Sequence, residues 1–167
     1  MKTLFILITT CFTGIMNFSG IETADLQRNC NSELSVEKNR SFKSADQDGT
    51  SFALVLENNS ESTKTYNLSV KNLSTSCSNK ASDLNKAASQ NVNLDVLVLA
   101  NDTFMTESNT VILGSGESLK FNVNVRVPDG TPFKTWSCIE VKAASEQCGS
   151  DSLKTILSVY VPNPSEG

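Results

Sequence analysis

Five cysteines, one tryptophan, two tyrosines and no histidine set the chemistry open to this 167-residue chain. Without an imidazole there is no Ser-His-Asp or Cys-His nucleophile, no histidine general base and no His-liganded metal. Cysteine is then the most informative reactive residue. Cys11 falls in the apolar N-terminal stretch, while Cys30, Cys77, Cys138 and Cys148 are spread through the body of the chain. Their spacing lacks the paired C-x-x-C knuckles of a zinc site. In an exported chain four such residues read as two disulfides, with three connectivities open, and Cys138 and Cys148 are near enough in sequence to clip one hairpin.

The remaining candidates are carboxylates and aromatics. Asp46-Gln47-Asp48-Gly49 sets two acids ahead of a glycine, as calcium loops begin. The D-x-[DN]-x-[DN]-G spacing and its closing glutamate are missing, so Asp46 and Asp48 are the nearest approach to a calcium site and the expectation is a solvated turn. Glu57, Glu61 and Asp95 are the acids from which a glycosidase pair would be drawn, but they fall on strand exteriors or turns, and no enzyme is expected. Gly114-Ser115-Gly116 lacks the lysine and helix of a phosphate loop and reads as a hairpin turn. Trp136, with Tyr160, is the candidate ligand contact, because sugar faces pack on indole; the plainer reading is a partly buried rim residue. No cofactor is implied. With 14 basic against 18 acidic residues the net charge is −4, which argues against nucleic acid as a partner.

These side chains have to be positioned by strands. Apolar residues recur with a period of two at 50–57, 64–71, 91–100 and 119–127, with shorter or less regular runs at 110–113, 133–143 and 153–161. Leu119, Phe121, Val123, Val125 and Val127 alternate with Lys120, Asn122, Asn124 and Arg126, the clearest half-buried strand. Asn58-Asn59-Ser60 and Asp129-Gly130 are turn signals between runs, and Pro128 ends a strand because it has no N–H for a ladder. Only 81–89 has helical character. About seven to eight antiparallel strands with such turns predict an all-β fold, an immunoglobulin-like β-sandwich. The irregular segment 21–49 is read as an N-terminal extension with one edge strand near Leu34 and Val36.

The first 20 residues carry Lys2 and then the apolar run around Leu4 to Phe18, with polar chain from Glu22 onward. That is the layout of a secretory signal peptide, too short and interrupted to span a bilayer. Its removal takes Lys2 and no acid, leaving a charge of −5. Asn-x-Ser/Thr triplets occur at Asn39, Asn58, Asn67, Asn72 and Asn101; in an Asn- and Ser-rich chain such triplets arise by chance, and they are expected to remain unmodified.

A resemblance runs through Val111-Ile112-Leu113, Gly116-Glu117-Ser118, the alternating strand to Val127, Pro128-Asp129-Gly130-Thr131-Pro132, Trp136, Ile139 to Ser145 and the final run from Ser152. It is similar to bacterial immunoglobulin-like domains of the alpha-galactosidase-associated NEW type and related surface-protein modules. Leu56-Glu57-Asn58-Asn59 before Tyr66-Asn67-Leu68-Ser69 is similar to their earlier hairpin. The likeness covers about residues 50–161; the four cysteines and the insert 74–90 depart from it. Its motifs specify fold, and function less. The expectation is a signal peptide over 1–20, the extension 21–49, a sandwich over 50–161 and a polar tail over 162–167. Such a chain is secreted, periplasmic or cell-surface. It acts as a non-catalytic interaction module, binding a protein or glycan at the cell surface, with no transmembrane segment once mature. The alternative is a carbohydrate-binding module using Trp136 and Tyr160.

Overall fold

A computed structural model describes residues 30–74, 91–100, 103–104, 109–149 and 152–166. The leader 1–20, Cys77, the helix-like stretch 81–89 and Asn101 lie outside the described residues. Ten strands are described: β1 (Ser32–Val36), β2 (Phe42–Ser44), β3 (Thr50–Asn58), β4 (Lys64–Leu73), β5 (Asp95–Ala100), β6 (Thr103–Phe104), β7 (Thr110–Leu113), β8 (Ser118–Arg126), β9 (Thr135–Ala144) and β10 (Ser152–Val161).

They form two five-stranded sheets, ordered β1-β3-β8-β5-β6 and β2-β10-β9-β4-β7. Every pairing is antiparallel except β2 on β10, which is parallel. The molecule is an immunoglobulin-like β-sandwich. The strands beyond the expected number are short edge pieces: β2 and β6 have too few residues to display a period.

Alternation decides which face is inside. Phe52, Leu54 and Leu56 of β3 and Phe121, Val123 and Val125 of β8 project from the first sheet into the interior. Tyr66, Leu68, Ile139, Val141, Leu157 and Val159 meet them from the second. Each such side chain contributes about 1.5–3 kcal/mol by leaving water, and a one-residue slip would turn the whole set to the outside. The edge strand expected at Leu34 and Val36 is β1, laid antiparallel on β3.

Two features differ from the sequence reading. Gly114-Ser115-Gly116 is not a hairpin turn: β7 belongs to the second sheet and β8 to the first, so the chain crosses between sheets there. Asn58 holds that corner. Its side-chain amide donates to the carbonyls of Ser62, Leu113 and Gly114 at 2.9–3.0 Å, and its Oδ1 accepts from the Ser60 N–H and hydroxyl. Cys148, in turn, does not clip a hairpin with Cys138. It is bonded to Cys30, 118 residues away, with Cα atoms 5.5 Å apart.

Candidate functional site

On the outward side of the second sheet, alternation places Trp136 on β9 and Tyr160 on β10 at directly opposed positions. Their ring centroids are 5.0 Å apart and tilted by 45°. Phe42 on β2, in parallel register with Ser158, brings a third ring to 5.3 Å from Trp136. Trp136 thus contacts two rings and is half-buried, while Phe42 remains 42% exposed. The two aromatics expected from sequence do come together. Phe42 was not legible, because a three-residue strand shows no period and its parallel partner lies more than a hundred residues on.

The surroundings of the trio mix apolar, polar and charged side chains. One step along the strands come Ser158 and Cys138, and one further step brings Ile156 opposite Glu140. Glu140 pairs with Lys71 at 3.2 Å and reaches Lys154 at 4.0 Å. A half-buried aromatic centre beside a charged band has the anatomy of a recognition patch.

Trp136 is held from its other flank as well. β4 ends at Leu73, and Asn91 and Val92 take over the place beside β9: the Val92 N–H donates to the Trp136 carbonyl at 2.9 Å. The Asn72 side chain fixes this takeover by imitating a strand, accepting from the Leu94 N–H and donating to the Leu94 carbonyl. Ser137 donates to the same Asn72 oxygen at 3.1 Å.

The carboxylate candidates are scattered. Glu57 pairs in register with Ser118 and Asp95 with Arg126, at opposite ends of β8. Eight residues of strand separate those ends, about 26 Å at 3.3 Å per residue, against the ~5–9.5 Å of a glycosidase pair. Glu61 lies exposed in the corner after β3. Asp46 and Asp48 belong to one tight turn, in which the Asp48 N–H donates to Asp46 Oδ1 and the Gly49 N–H to the Asp46 carbonyl, both at 3.0 Å. Among the described residues no three ligating side chains gather.

Cysteines act here as staples. Cys30 precedes β1, and Cys148 closes the 3₁₀ turn Glu146–Cys148 between β9 and β10, so their bond ties the first sheet's edge to the second sheet. Cys138 is also disulfide-bonded, with its partner outside the described residues. Disulfides persist in oxidising compartments. Among the described residues no helix is long and apolar enough to cross a membrane.

Geometry also sorts the sequons. Asn58 and Asn72 have their amides committed to internal hydrogen bonds, so a glycan on either is incompatible with this fold. Asn39 and Asn67 are exposed.

No protein-family model matches the chain, and no curated protein matches it in sequence. Solved structures do resemble it. A family 123 glycoside hydrolase from Clostridium perfringens matches with a TM-score of 0.52 and 10% identity over 80% of this chain, which spans only 28% of that enzyme. A human ASH/PapD-like domain matches at a TM-score of 0.45 and 8% identity, covering 98% of this chain and 99% of that one. The periplasmic chaperone SfaE matches at 0.45 and 9%, over 80% of this chain and 58% of its own. At such identities the likeness concerns the fold.

Proposed function

We propose that the chain is an exported interaction module of bacterial surface type, binding rather than catalytic, whose recognition patch is Phe42, Trp136 and Tyr160. The observation that carries this reading is the meeting of three aromatic rings, from three neighbouring strands, on the face that the core does not use. Rings at half-buried outward positions bring large apolar area at low entropic cost, which is why Trp and Tyr dominate the energetics of protein interfaces. The apolar leader and the disulfides support export. The resemblance of its turn and strand motifs to those of NEW-type domains supports the bacterial surface class.

The Trp136–Tyr160 pair also favours a second reading, a carbohydrate-binding module. Its rings are tilted by 45°, so they offer a sugar two inclined faces rather than a flat platform, and a protein anchor suits them better.

A photo-crosslinking residue at Ser158, beside the trio, tests the patch in the producing cell. Crosslinks to a surface protein are expected, and Trp136→Ala should remove them while thermal unfolding stays cooperative. Full crosslinking with Trp136→Ala would sink the patch. A glycan array probed with both forms separates the two readings: binding there that needs Trp136 would move the assignment to sugar.

A further inference from the structure

The three strands that carry the aromatic rings run on into a second feature at the same end of the sandwich. After Phe42, β2 leads into the turn containing Asp46 and Asp48; β9 is entered past Phe133; β10 leaves through Val161 and Pro162. With Val127 at the end of β8, these segments enclose a cleft of about 290 Å³. Its lining is apolar at Val127, Phe133, Val161 and Pro162 and acidic at Asp46 and Asp48. The walls are preset by backbone bonds: Lys134 N–H to the Val161 carbonyl at 2.7 Å, Ala45 N–H to the Tyr160 carbonyl at 2.9 Å, and Gly49 N–H to Asp46.

We infer that this cleft is a socket for one cationic side chain of a protein partner, an arginine before a lysine. The stem lies on Val127, Val161 and Pro162, and the guanidinium meets Phe133 and the Asp46 and Asp48 carboxylates. The inference rests on the interaction-module reading and names the chemistry of its partner.

Size is the first argument. Small-molecule pockets span roughly 300–1,000 Å³, so this cleft lies at their lower limit and suits a single side chain rather than an extended ligand. Chemistry is the second. A calcium ion needs six to eight oxygens, and two carboxylates set among apolar side chains do not supply them. A side chain with an aliphatic stem and a charged head matches both halves of the lining. Charge is the third. Among the described residues no lysine or arginine pairs with Asp46 or Asp48. Lys43, on the strand leading to them, is engaged by the Ser51 carbonyl and the Phe52 ring. The whole chain is acidic, which favours a basic partner, and Asp46 and Asp48 put two of its acids at this cleft. Arginine is preferred because its planar guanidinium stacks on an aromatic ring and forks onto carboxylates, where an ammonium does neither as well.

The probe is acetyl-arginine methylamide, compared with its uncharged citrulline counterpart, titrated into the oxidised full chain while backbone amides are followed by NMR. Saturable shifts at Asp46, Asp48, Phe133 and Val161 are expected with arginine. Two solvent-touched charge pairs correspond to roughly tenfold in affinity, so citrulline should bind about that much more weakly. Asp46→Asn with Asp48→Asn should weaken arginine similarly, since asparagine keeps the Oδ1 acceptor for the Asp48 N–H. Phe133→Ala removes a side chain that is 50% exposed, so it tests the ring without threatening the fold. Equal binding of citrulline, shifts mapping elsewhere, or unchanged affinity in both variants overturns the socket. If arginine leaves the cleft unmoved while Trp136→Ala still abolishes crosslinking, the socket fails and the interaction module stands. Loss of the patch with arginine binding retained gives the opposite result.

Discussion

Asn58 shows how much of this fold rests on one polar side chain. It is wholly buried, and its amide serves three carbonyls while its oxygen serves Ser60. Asn58→Ala removes the donor that ties Ser62, Leu113 and Gly114 together and the acceptor that Ser60 uses, so a loss of about 1–3 kcal/mol is expected. A lower urea midpoint with unchanged slope would register it; a change under about 0.5 kcal/mol would deny Asn58 this role. Tyr66 gives a pH effect. Burial pushes its phenol above the ordinary value, and the hydrogen bond with Ser32, at 2.6 Å, pulls partly the other way. The native state therefore holds this proton after the unfolded chain has released it. Stability is fully present below the unfolded tyrosine pKa of about 10 and falls as pH rises through the higher native one. Denaturant titrations from pH 8 to 11.5 should show this decline, and Tyr66→Phe should flatten it.

Edge elements carry the next level of dependence. β1 rests on β3 alone within its sheet, and the Cys30–Cys148 bond anchors its entry. Cys30→Ser with Cys148→Ser should cost about 2–4 kcal/mol, given the long loop this bridge closes. Hydrogen exchange should locate that loss, accelerating at β1 amides before β9 or β10; uniform acceleration would contradict a local anchor. β2 depends instead on its turn. Gly49 has φ +84, and a Cβ there would lie 2.3 Å from the Val125 carbonyl oxygen. Gly49→Ala is thus both strained and clashing and should destabilise by more than about 1 kcal/mol, with chemical shifts of the acidic turn displaced.

At the scale of the whole molecule, the aromatic face and the cleft converge on one end, and the Cys30–Cys148 bond ties the sheets at the other. The aromatic trio and the cleft-lining residues are one to six positions apart along the same three chain segments, so one partner can cover both. Cys138 lies two residues from Trp136 on the same outward face, and it is disulfide-bonded. With Cys30 and Cys148 joined, Cys11 and Cys77 are the remaining cysteines. Leu73 stands opposite Cys138 in the ladder, and four residues of extended chain reach about 14 Å, which brings Cys77 within range. Non-reducing peptide mapping of the oxidised protein is expected to find Cys77 linked to Cys138 beside Cys30 linked to Cys148. Free Cys77, or a link from Cys138 to Cys11, would contradict that pairing and the leader's removal respectively.

The strands and their inward faces were legible from the residues alone. Alternation at Phe52-Leu54-Leu56 and Phe121-Val123-Val125 is written within single segments, and Gly130 and Pro128 mark their own turns. Trp136 and Tyr160 could be singled out by residue type as ligand contacts, but the less regular runs that carry them did not assign their face. Which sheet a strand joins is not written locally. The corner at Gly114, the Cys30–Cys148 bond, the arrival of Phe42 beside Trp136 and the cleft at Asp46 each join segments far apart in the chain. Sequence by itself determined the β-sandwich class and the faces of its strands, because a period of two is a property of neighbours. Tertiary structure alone decided which side chains meet, because a contact between distant segments depends on sheet order and register.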